Sequence, residues 1–548
     1  MKFILSVLIS FFLPISATHA DTEKVSQAEL FLRNFDNSQC TRSGTSELLR
    51  MLQENSEEGR AFQAVYAQSE RPEMDAFADS EKGRFRVHYD LSGMNAPDLT
   101  DNNLNNIPDY VDSALVYLEY AWQVIVVDHG YGVPMYDGTR GGSKNLIDCY
   151  IMDISPQKLY GLTNPDGFGS GSNSSYITVD NSFSESIYPT KGYNALKITT
   201  AHEFFHVVHY SYYAGYDSIW WMEQTAVWME DQIWDDVNDY LNYIGFLYTD
   251  RNIPLDSSIG NFMYGATLFA FHIAEKYGKN IIRSSWSTIR DKQSGAIENL
   301  NTVLSDGLPK AISDLGVWMY FTGYRANPEN FFSESKLITN TIVPEITTTE
   351  KTSVDSLLFR HYTFKYIEIK PENGFAYGDS LYFYFTDRSD GVWKNQVIFY
   401  KTPDNFEVEQ LSGSSPALLV PRPFDKAVLV IANTSQRDKS YNYVFTIDIE
   451  SSRGVEKEPT PVPFVLHQNF PNPFNSSTTI PFSIHENSHV TLIVVNIQGS
   501  IVTTLVDDFM GPGSYHATFD SRGISSGTYF TILESGGTAV TKKMSLLK

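Results

Sequence analysis

The stretch TTAHEFFHVVH contains two histidines four residues apart, His202 and His206, and a glutamate, Glu203, directly after the first. Apart from these and a third histidine its side chains are uncharged, and no proline interrupts it, so the sequence predicts a buried helix. A step of four residues turns a helix by about 400°, which places both imidazoles on one face. Two imidazoles in this arrangement can bind one zinc ion, and Glu203 can take a proton from water that the zinc activates.

A third metal ligand is expected from the following predicted helix, which spans 219–234. Sixteen residues separate His206 from Glu223, enough for one helix to end and for a second to return beside it. His209 is the competing ligand, but three ligands from one straight helix fit tetrahedral zinc poorly. Glu230, two turns after Glu223, is interpreted either as a carboxylate that orients a ligand histidine or as a solvated helix charge.

A second cluster of oxygen-bearing side chains lies in the segment DNNLNNIPDYVD at 101–112. Its positions 1, 3, 5, 9 and 12 are Asp or Asn and its seventh offers a backbone carbonyl, which is the spacing of an EF-hand calcium loop. The sixth position is Asn106 instead of glycine, and asparagine also adopts a left-handed turn. The alternative is a plain Asx-rich turn that caps the next helix. The predicted calcium ligands are Asp101, Asn103, Asn105, Ile107, Asp109 and Asp112.

Both strands and helices are predicted in the region that must position these residues. Early strands followed by late helices favour an α+β domain at 81–345 that contains the metal ligands. The strand at 174–180 is either an edge strand to which an extended peptide adds or an ordinary member of the sheet. Alternation predicts strands at 85–91, 145–154 and 174–180, and helical periodicity predicts helices at 110–129, 195–214, 219–234, 263–277 and 312–320.

The remaining residues divide into export, extension and β-rich segments. Residues 1–20 have a positive start, an apolar run and a small-residue end, which predicts a signal peptide cut after Ala20. Residues 21–80 are interpreted as an N-terminal extension or a propeptide. Composition and alternation predict a β-sandwich domain at 346–450, a Pro-rich linker at 451–463 and a further Ig-like β-sandwich at 464–548.

Composition narrows the class of partner. The chain has 548 residues, of which 42% are hydrophobic, and a formal net charge of −24. The hydrophobic content is that of globular domains, and the negative charge would repel a phosphate backbone, so nucleic acid is not an expected partner. After the signal peptide no apolar run reaches membrane-spanning length. The two cysteines, Cys40 and Cys149, either pair in an oxidising exterior or remain buried thiols.

The pattern H-E-x-x-H followed by W-x-x-E-x-x-A resembles the gluzincin metallopeptidases. The stretches FRVHYDLSG, HEFFH, WWMEQTAVWMED and YGATLFAFHIAEKYG also resemble a family of exported bacterial metalloproteases. The resemblance implies a zincin-like catalytic fold with zinc bound by His202, His206 and Glu223, and with Glu203 as general base. Tyr264 resembles the tyrosine that stabilises the oxyanion in related enzymes, and the alternative is a core tyrosine at a helix start.

The C-terminal stretch from FVLHQNFPNPFNSSTTIPFSI to KKMSLLK resembles the sorting domain of type IX secretion substrates. The alternative is a simple adhesive Ig-like module. The resemblance implies passage through the periplasm, contact with the type IX secretion machinery, and a secreted or cell-surface location.

Together these features predict a secreted zinc metalloendopeptidase that cleaves protein or peptide substrates. The other hypothesis is a surface adhesion or glycan-binding protein with a structural or inactive zinc site, because β-sandwiches make up much of the chain. A zinc ion with four protein ligands would favour the second hypothesis, since it could not activate water.

Overall fold

The computed structural model describes residues 71–547 except for 143–144, 168–170, 414–415, 453–463, 467, 470–471, 485–486 and 536–537. The predicted signal peptide, Cys40 and the predicted linker from residue 453 onward lie outside the described residues. Cys149 is buried in the first sheet. The chain divides into two compact units between Ser452 and Arg453.

The N-terminal unit contains a five-stranded mixed sheet formed by β1 Ala76–Asp79, β2 Phe85–Tyr89, β3 Ile147–Met152, β4 Gly161–Pro165 and β5 Ser175–Asp180. The order is β1-β2-β3-β5-β4, in which β2, β3 and β5 are parallel while β1 and β4 pair antiparallel at opposite ends. Every residue of β3 and β5 is buried, as expected for inner strands covered on both faces. The suggestion that 174–180 forms an edge strand is therefore wrong, because β5 lies between β3 and β4.

The helices of this unit are α1 Asp109–Trp122, α2 Gly192–Tyr212, α3 Ile219–Ile233, α4 Gly245–Thr249, α5 Phe262–Gly265, α6 Leu268–Tyr277, α7 Asn280–Lys292, α8 Ala296–Val303 and α9 Gly307–Tyr320. Helix α1 continues into a π-helical segment at Gln123–Asp128. Helix α2 is buried around nearly its whole circumference, since it packs on β4 and β5 and against α1 and α3. The sequence does not predict α7, in which polar residues dominate, or α8, which is eight residues long.

Residues 346–450 form two packed sheets. Their strands are β6 Ile346–Thr348, β7 Thr352–Phe359, β8 Thr363–Ile369, β9 Ser380–Asp387, β10 Trp393–Thr402, β11 Asn405–Leu411, β12 Ala417–Leu419, β13 Lys426–Asn433 and β14 Tyr441–Glu450. The order of the strands is β11-β10-β13-β8-β6 in one sheet and β12-β9-β14-β7 in the other. Apolar side chains such as Phe383 and Leu429 fill the space between the sheets. The other face of the first sheet packs on α9, where the Tyr366 hydroxyl donates to the Gly316 carbonyl at 2.7 Å.

The C-terminal unit consists of two sheets with their own core. The strands are β15 Phe464–Leu466, β16 Ser477–Ile484, β17 Ser488–Asn496, β18 Ile501–Met510, β19 Gly513–Asp520, β20 Gly527–Ser535 and β21 Thr538–Leu546. Their order is β15-β16-β19 and β18-β17-β20-β21, and buried residues alternate along β16, β17 and β20. The coarse expectation of a multidomain chain, with an N-terminal region of helices and strands followed by β-sheet regions, is confirmed.

We expect the Gly316→Val variant to be less stable, because α9 lies close to the sheet at this position. A Cβ atom at Gly316 would lie 2.9 Å from Val430 Cγ1 and 3.5 Å from Phe364 Cγ. Overpacking a core costs about 1–3 kcal/mol of unfolding free energy, which denaturant titration of the exported protein measures. An unchanged free energy of unfolding would contradict the close packing of α9 on this sheet.

Candidate metal centre

The two predicted metal-binding helices lie side by side and bring three potential ligands together. Helix α2 contributes His202 and His206, and α3 contributes Glu223; all three are buried. The Nε2 atoms of the two histidines are 3.0 Å apart. Glu223 Oε2 lies 3.2 Å from His202 Nε2, and Glu223 Oε1 lies 3.5 Å from His206 Nε2. Atoms of the types that zinc prefers therefore surround one point.

Glu230 orients the first of these histidines. Its Oε1 atom lies 2.6 Å from His202 Nδ1, and its side chain is only 4% exposed. A carboxylate only accepts hydrogen bonds, so His202 Nδ1 bears the proton that this contact requires. In a neutral imidazole the Nε2 lone pair then points towards Glu223 and His206. The interpretation of Glu230 as a solvated helix charge is wrong, because the side chain is buried against His202.

Glu223 provides a direct test of whether these residues fit a metal ion. Its Oε1 atom is buried and has no hydrogen-bond partner among the described residues. A buried carboxylate oxygen is costly unless a nearby charge compensates for it. A divalent cation would bond this oxygen and the two histidine lone pairs, so the residues fit zinc or another divalent metal with similar ligand preferences.

Hydrogen bonds within the centre shift the pKa values of its members. Burial lowers the pKa of His202, but hydrogen bonds with Glu223 and Glu230 outweigh burial and raise it to about 10. Burial raises the pKa of Glu223, but electrostatic interaction with His206 and the hydrogen bond with His202 outweigh burial and lower it to about 2. Both shifts favour a proton on the His202 side of this pair. A metal ion would replace that proton, so metal binding releases it.

Glu203 lies on α2 next to a ligand histidine and contacts the edge strand β4. The Thr163 hydroxyl donates to Glu203 Oε2 at 2.8 Å. Gly161 on the same strand leaves the space that Glu203 occupies, since a Cβ atom there would lie 2.7 Å from Glu203 Cγ. Strand β4 therefore fixes the position of this carboxylate. The sequence gives no signal for either contact, because GLTNP lacks the alternation that would mark a strand.

Two tyrosines lie close to the centre. Tyr264, the predicted one, is fully buried on α5 with its ring centroid 6.4 Å from that of His202. Tyr210 follows Glu203 by seven residues and so lies on the same face of α2. Among the described residues its buried hydroxyl has no hydrogen-bond partner. Burial raises the pKa of Tyr210 well above its usual value, and the charges of Glu203 and Glu223 raise it further.

Four of the predicted calcium ligands lie together in the loop before α1. The side-chain amides of Asn103 and Asn105 donate to Asp112 Oδ2 at 2.9 and 2.8 Å. The Asp101 carboxylate accepts from the backbone N–H groups of Asn105 and Asn106 at 3.2 and 2.9 Å. Asn106 has a φ of 67°, the left-handed conformation for which an EF-hand uses glycine.

The other two predicted calcium ligands make different contacts. Asp109 begins α1 and accepts hydrogen bonds from the backbone and side chain of Asn102. The Ile107 N–H donates to Asn105 Oδ1 at 2.8 Å. These are the contacts of an Asx-rich turn before a helix. Calcium binding by the same loop remains a prediction.

The C-terminal unit is similar to a known family. Residues 468–546 match the family model described as a secretion system C-terminal sorting domain. The match confirms the predicted sorting domain, so the chain is exported by the type IX system to the cell surface or the exterior. Within the described part of the chain, none of the helices has the length and apolar composition of a membrane span.

Three solved structures show weak and partial likeness. The endo-D glycoside hydrolase domain from Streptococcus pneumoniae is 10% identical with a TM-score of 0.12, over 36% of this chain and 37% of that one. The β-glucuronidase of Parabacteroides merdae is 8% identical with a TM-score of 0.18, over 33% and 27%. Tripeptidyl peptidase 2 is 8% identical with a TM-score of 0.16, over 38% and 27%.

The chain thus spans 27% to 37% of the length of these three structures. TM-scores this low do not indicate a fold in common with this chain. No curated protein sequence matches it.

We expect the wild-type protein to bind one zinc ion per chain and the Glu223→Gln variant to bind it at least about 100-fold more weakly. The amide keeps the size of the side chain but removes the charge and one acceptor oxygen. Mutation of a residue that only hydrogen-bonds to a metal ligand already lowers metal affinity about 10–100-fold, so the loss of a ligand should lower it at least as much. Competition with a zinc chelator measures the affinity.

The matched control is Glu298→Gln, which changes a largely exposed helical glutamate whose side chain is 67% exposed. This variant should bind zinc as the wild type does. Equal affinities of the Glu223→Gln and wild-type proteins would contradict the role of Glu223 as a ligand.

Proposed function

We propose that this chain is a secreted zinc metalloendopeptidase of the gluzincin type with a zincin-like catalytic region. The observation that supports this most is the convergence of His202 Nε2, His206 Nε2 and the Glu223 carboxylate in an apolar interior. Three protein ligands of this kind leave one tetrahedral position for water or substrate, which is the pattern of catalytic zinc sites.

Glu203 is proposed as the general base. When bound in such a site, zinc lowers the pKa of water towards neutrality and polarises a carbonyl group. Glu203 would accept a proton from the attacking water and deliver it to the leaving amine. Its hydrogen bond with Thr163 supports this role, because a general base must be held in one position to be effective.

A tyrosine hydroxyl is proposed to stabilise the oxyanion of the tetrahedral intermediate. Tyr264 is the candidate that the sequence suggests, and its ring lies near that of His202. Tyr210 is a second candidate, since its hydroxyl is buried and, among the described residues, without a hydrogen-bond partner. Either hydroxyl would donate a hydrogen bond to the negative charge that develops on the oxyanion.

The proposed substrate is a peptide in extended conformation. Strand β4 pairs with β5 on one side, and of the described strands none pairs with its other side. An extended peptide can add to such an edge through main-chain hydrogen bonds. Because Gly161 and Thr163 of β4 contact Glu203, a peptide at this edge would lie beside the proposed general base.

The alternative function, adhesion or glycan binding with a structural or inactive zinc site, is less well supported. A structural zinc ion needs four protein ligands. His209 is the obvious fourth histidine, but its Nδ1 lies 3.2 Å from His206 Nδ1, on the far side of that ring from the ligand atom Nε2. This placement favours an open metal position and hence the peptidase.

Calcium binding and the division of the chain into domains are also proposed. The loop at 101–112 is proposed to bind calcium in a structural role, through Asp101, Asn103, Asn105, Ile107, Asp109 and Asp112. The proposed division of the chain is a signal peptide at 1–20, an extension or propeptide at 21–80, the catalytic domain at 81–345, a β-sandwich at 346–450, a linker at 451–463 and the sorting domain at 464–548. Strand β1 at Ala76–Asp79 belongs to the extension in this division and pairs with β2 of the catalytic domain.

We expect the Glu203→Gln variant to retain zinc but to cleave peptides about 10²–10⁴-fold more slowly than the wild type. Glutamine keeps the shape of the side chain and cannot accept the proton. A quenched peptide library, with zinc content measured on the same samples, tests this.

Glu298→Gln serves again as the exposed control and should cleave at the wild-type rate. Full, chelator-sensitive cleavage by Glu203→Gln would refute the assigned general base. If the wild type binds zinc and cleaves no peptide, the peptidase proposal fails and the binding-protein alternative takes its place.

A further inference from the structure

A chain of buried hydrogen-bonding side chains lies behind the second ligand histidine. His206 Nδ1 lies 3.2 Å from His209 Nδ1, and His209 Nε2 lies 3.3 Å from the Thr225 hydroxyl. Trp286 Nε1 lies 3.2 Å from the same hydroxyl. All four residues are at most 1% exposed. These contacts join α2, α3 and α7 behind the metal centre, and the roles proposed above use none of them except His206.

Thr225 fixes the direction of the hydrogen bonds in this chain. Its hydroxyl has one proton, and its shortest contact is to the Trp221 carbonyl at 2.7 Å, which only accepts. Trp286 Nε1–H only donates, so the Thr225 oxygen accepts from it. The remaining lone pair of that oxygen faces His209 Nε2. The His209 Nε2 atom must therefore bear a proton and donate to Thr225.

His209 in turn fixes the tautomer of His206. The His209 ring is buried between Phe205 and Trp286, with centroid distances of 4.1 and 4.2 Å, and its hydrogen-bond partners among the described residues are His206 and Thr225, not a carboxylate. A buried imidazole without a carboxylate partner is favoured in its neutral form. A neutral imidazole with its proton on Nε2 has a lone pair on Nδ1. His206 Nδ1–H must then donate to it, because two lone pairs at 3.2 Å would repel. This leaves the His206 Nε2 lone pair free to point at His202 and Glu223.

We propose that His209, held by Thr225 and Trp286, is a positioning residue that directs the His206 Nε2 lone pair at the metal ion. The inference rests on the proposed metal centre and assigns a role to a histidine that is not one of its ligands. The two ligand histidines are then oriented by different groups. His202 donates to the Glu230 carboxylate, and His206 donates to a neutral imidazole.

The test compares the zinc affinities of His209→Phe and His209→Asn with that of the wild type, using zinc alone with a competing chelator. Phenylalanine keeps a ring between Phe205 and Trp286 but offers no acceptor to His206. Asparagine loses the ring but places a side-chain oxygen near the position of Nδ1. We expect His209→Phe to bind zinc about 10–100-fold more weakly than the wild type and His209→Asn to recover part of that loss.

A purely structural role predicts the opposite order, because the ring-preserving variant would then bind zinc as the wild type does. That order, or equal affinities of all three proteins, would overturn the inference while leaving the metal centre intact. Failure of the wild type to bind zinc would instead overturn the metal centre and the inference together. Unfolding of the metal-free proteins by denaturant shows whether either variant has lost its fold.

A second measurement uses the metal-free wild-type protein and requires no variant. Long-range ¹H–¹⁵N correlation spectra of metal-free protein labelled with ¹⁵N-histidine report which nitrogen of each ring bears a proton. We expect a proton on Nε2 and none on Nδ1 for His209, and a proton on Nδ1 for His206. A proton on His209 Nδ1 would overturn the inference, since His209 could not then accept from His206.

Discussion

The structure depends on placing ionisable side chains from two helices against each other inside an apolar core. For His202, His206, Glu223 and Glu230, at most 3% of the whole residue is exposed. Charges in such surroundings are costly unless partners compensate for them. Hydrogen bonds satisfy most of these groups, but not Glu223 Oε1, which has no hydrogen-bond partner among the described residues and lies 3.5 Å from His206 Nε2. A divalent cation would bond this oxygen and balance the two carboxylates that face the histidines, which is why a metal explains the centre better than ion pairs alone.

The rest of the N-terminal unit holds these side chains in fixed positions relative to one another. Helix α2 is packed between the sheet, α1 and α3, so its histidines cannot turn away from Glu223. Each proposed ligand histidine also has a buried partner behind it, the Glu230 carboxylate for His202 and the His209 imidazole for His206. An imidazole partner adds no negative charge to a centre that already contains the carboxylates of Glu203, Glu223 and Glu230. The architecture thus fixes both the geometry and the charge of the site.

Much of the centre could be predicted from sequence, because helical spacing alone places His202, His206 and Glu203 on neighbouring faces of α2. Glu223 followed from the distance needed for a second helix to return. Strand β4 could not be predicted, because it is only five residues long, begins with a glycine and ends with a proline. Thr163 reaches Glu203 across 40 positions of sequence, a contact that depends on how the sheet is ordered. The role proposed for His209 could not be predicted either, since spacing shows a third histidine on α2 but not its contact with the Thr225 hydroxyl.

The central claim is that two imidazoles and one carboxylate bind a single divalent ion and leave one position open. X-ray absorption spectroscopy at the zinc edge tests it most directly on the zinc-loaded protein. The account predicts two histidine nitrogens at about 2.0–2.1 Å, one carboxylate and one water oxygen at about 2.0–2.2 Å. A spectrum with three histidines in the coordination shell, or with four protein ligands and no water, would contradict it.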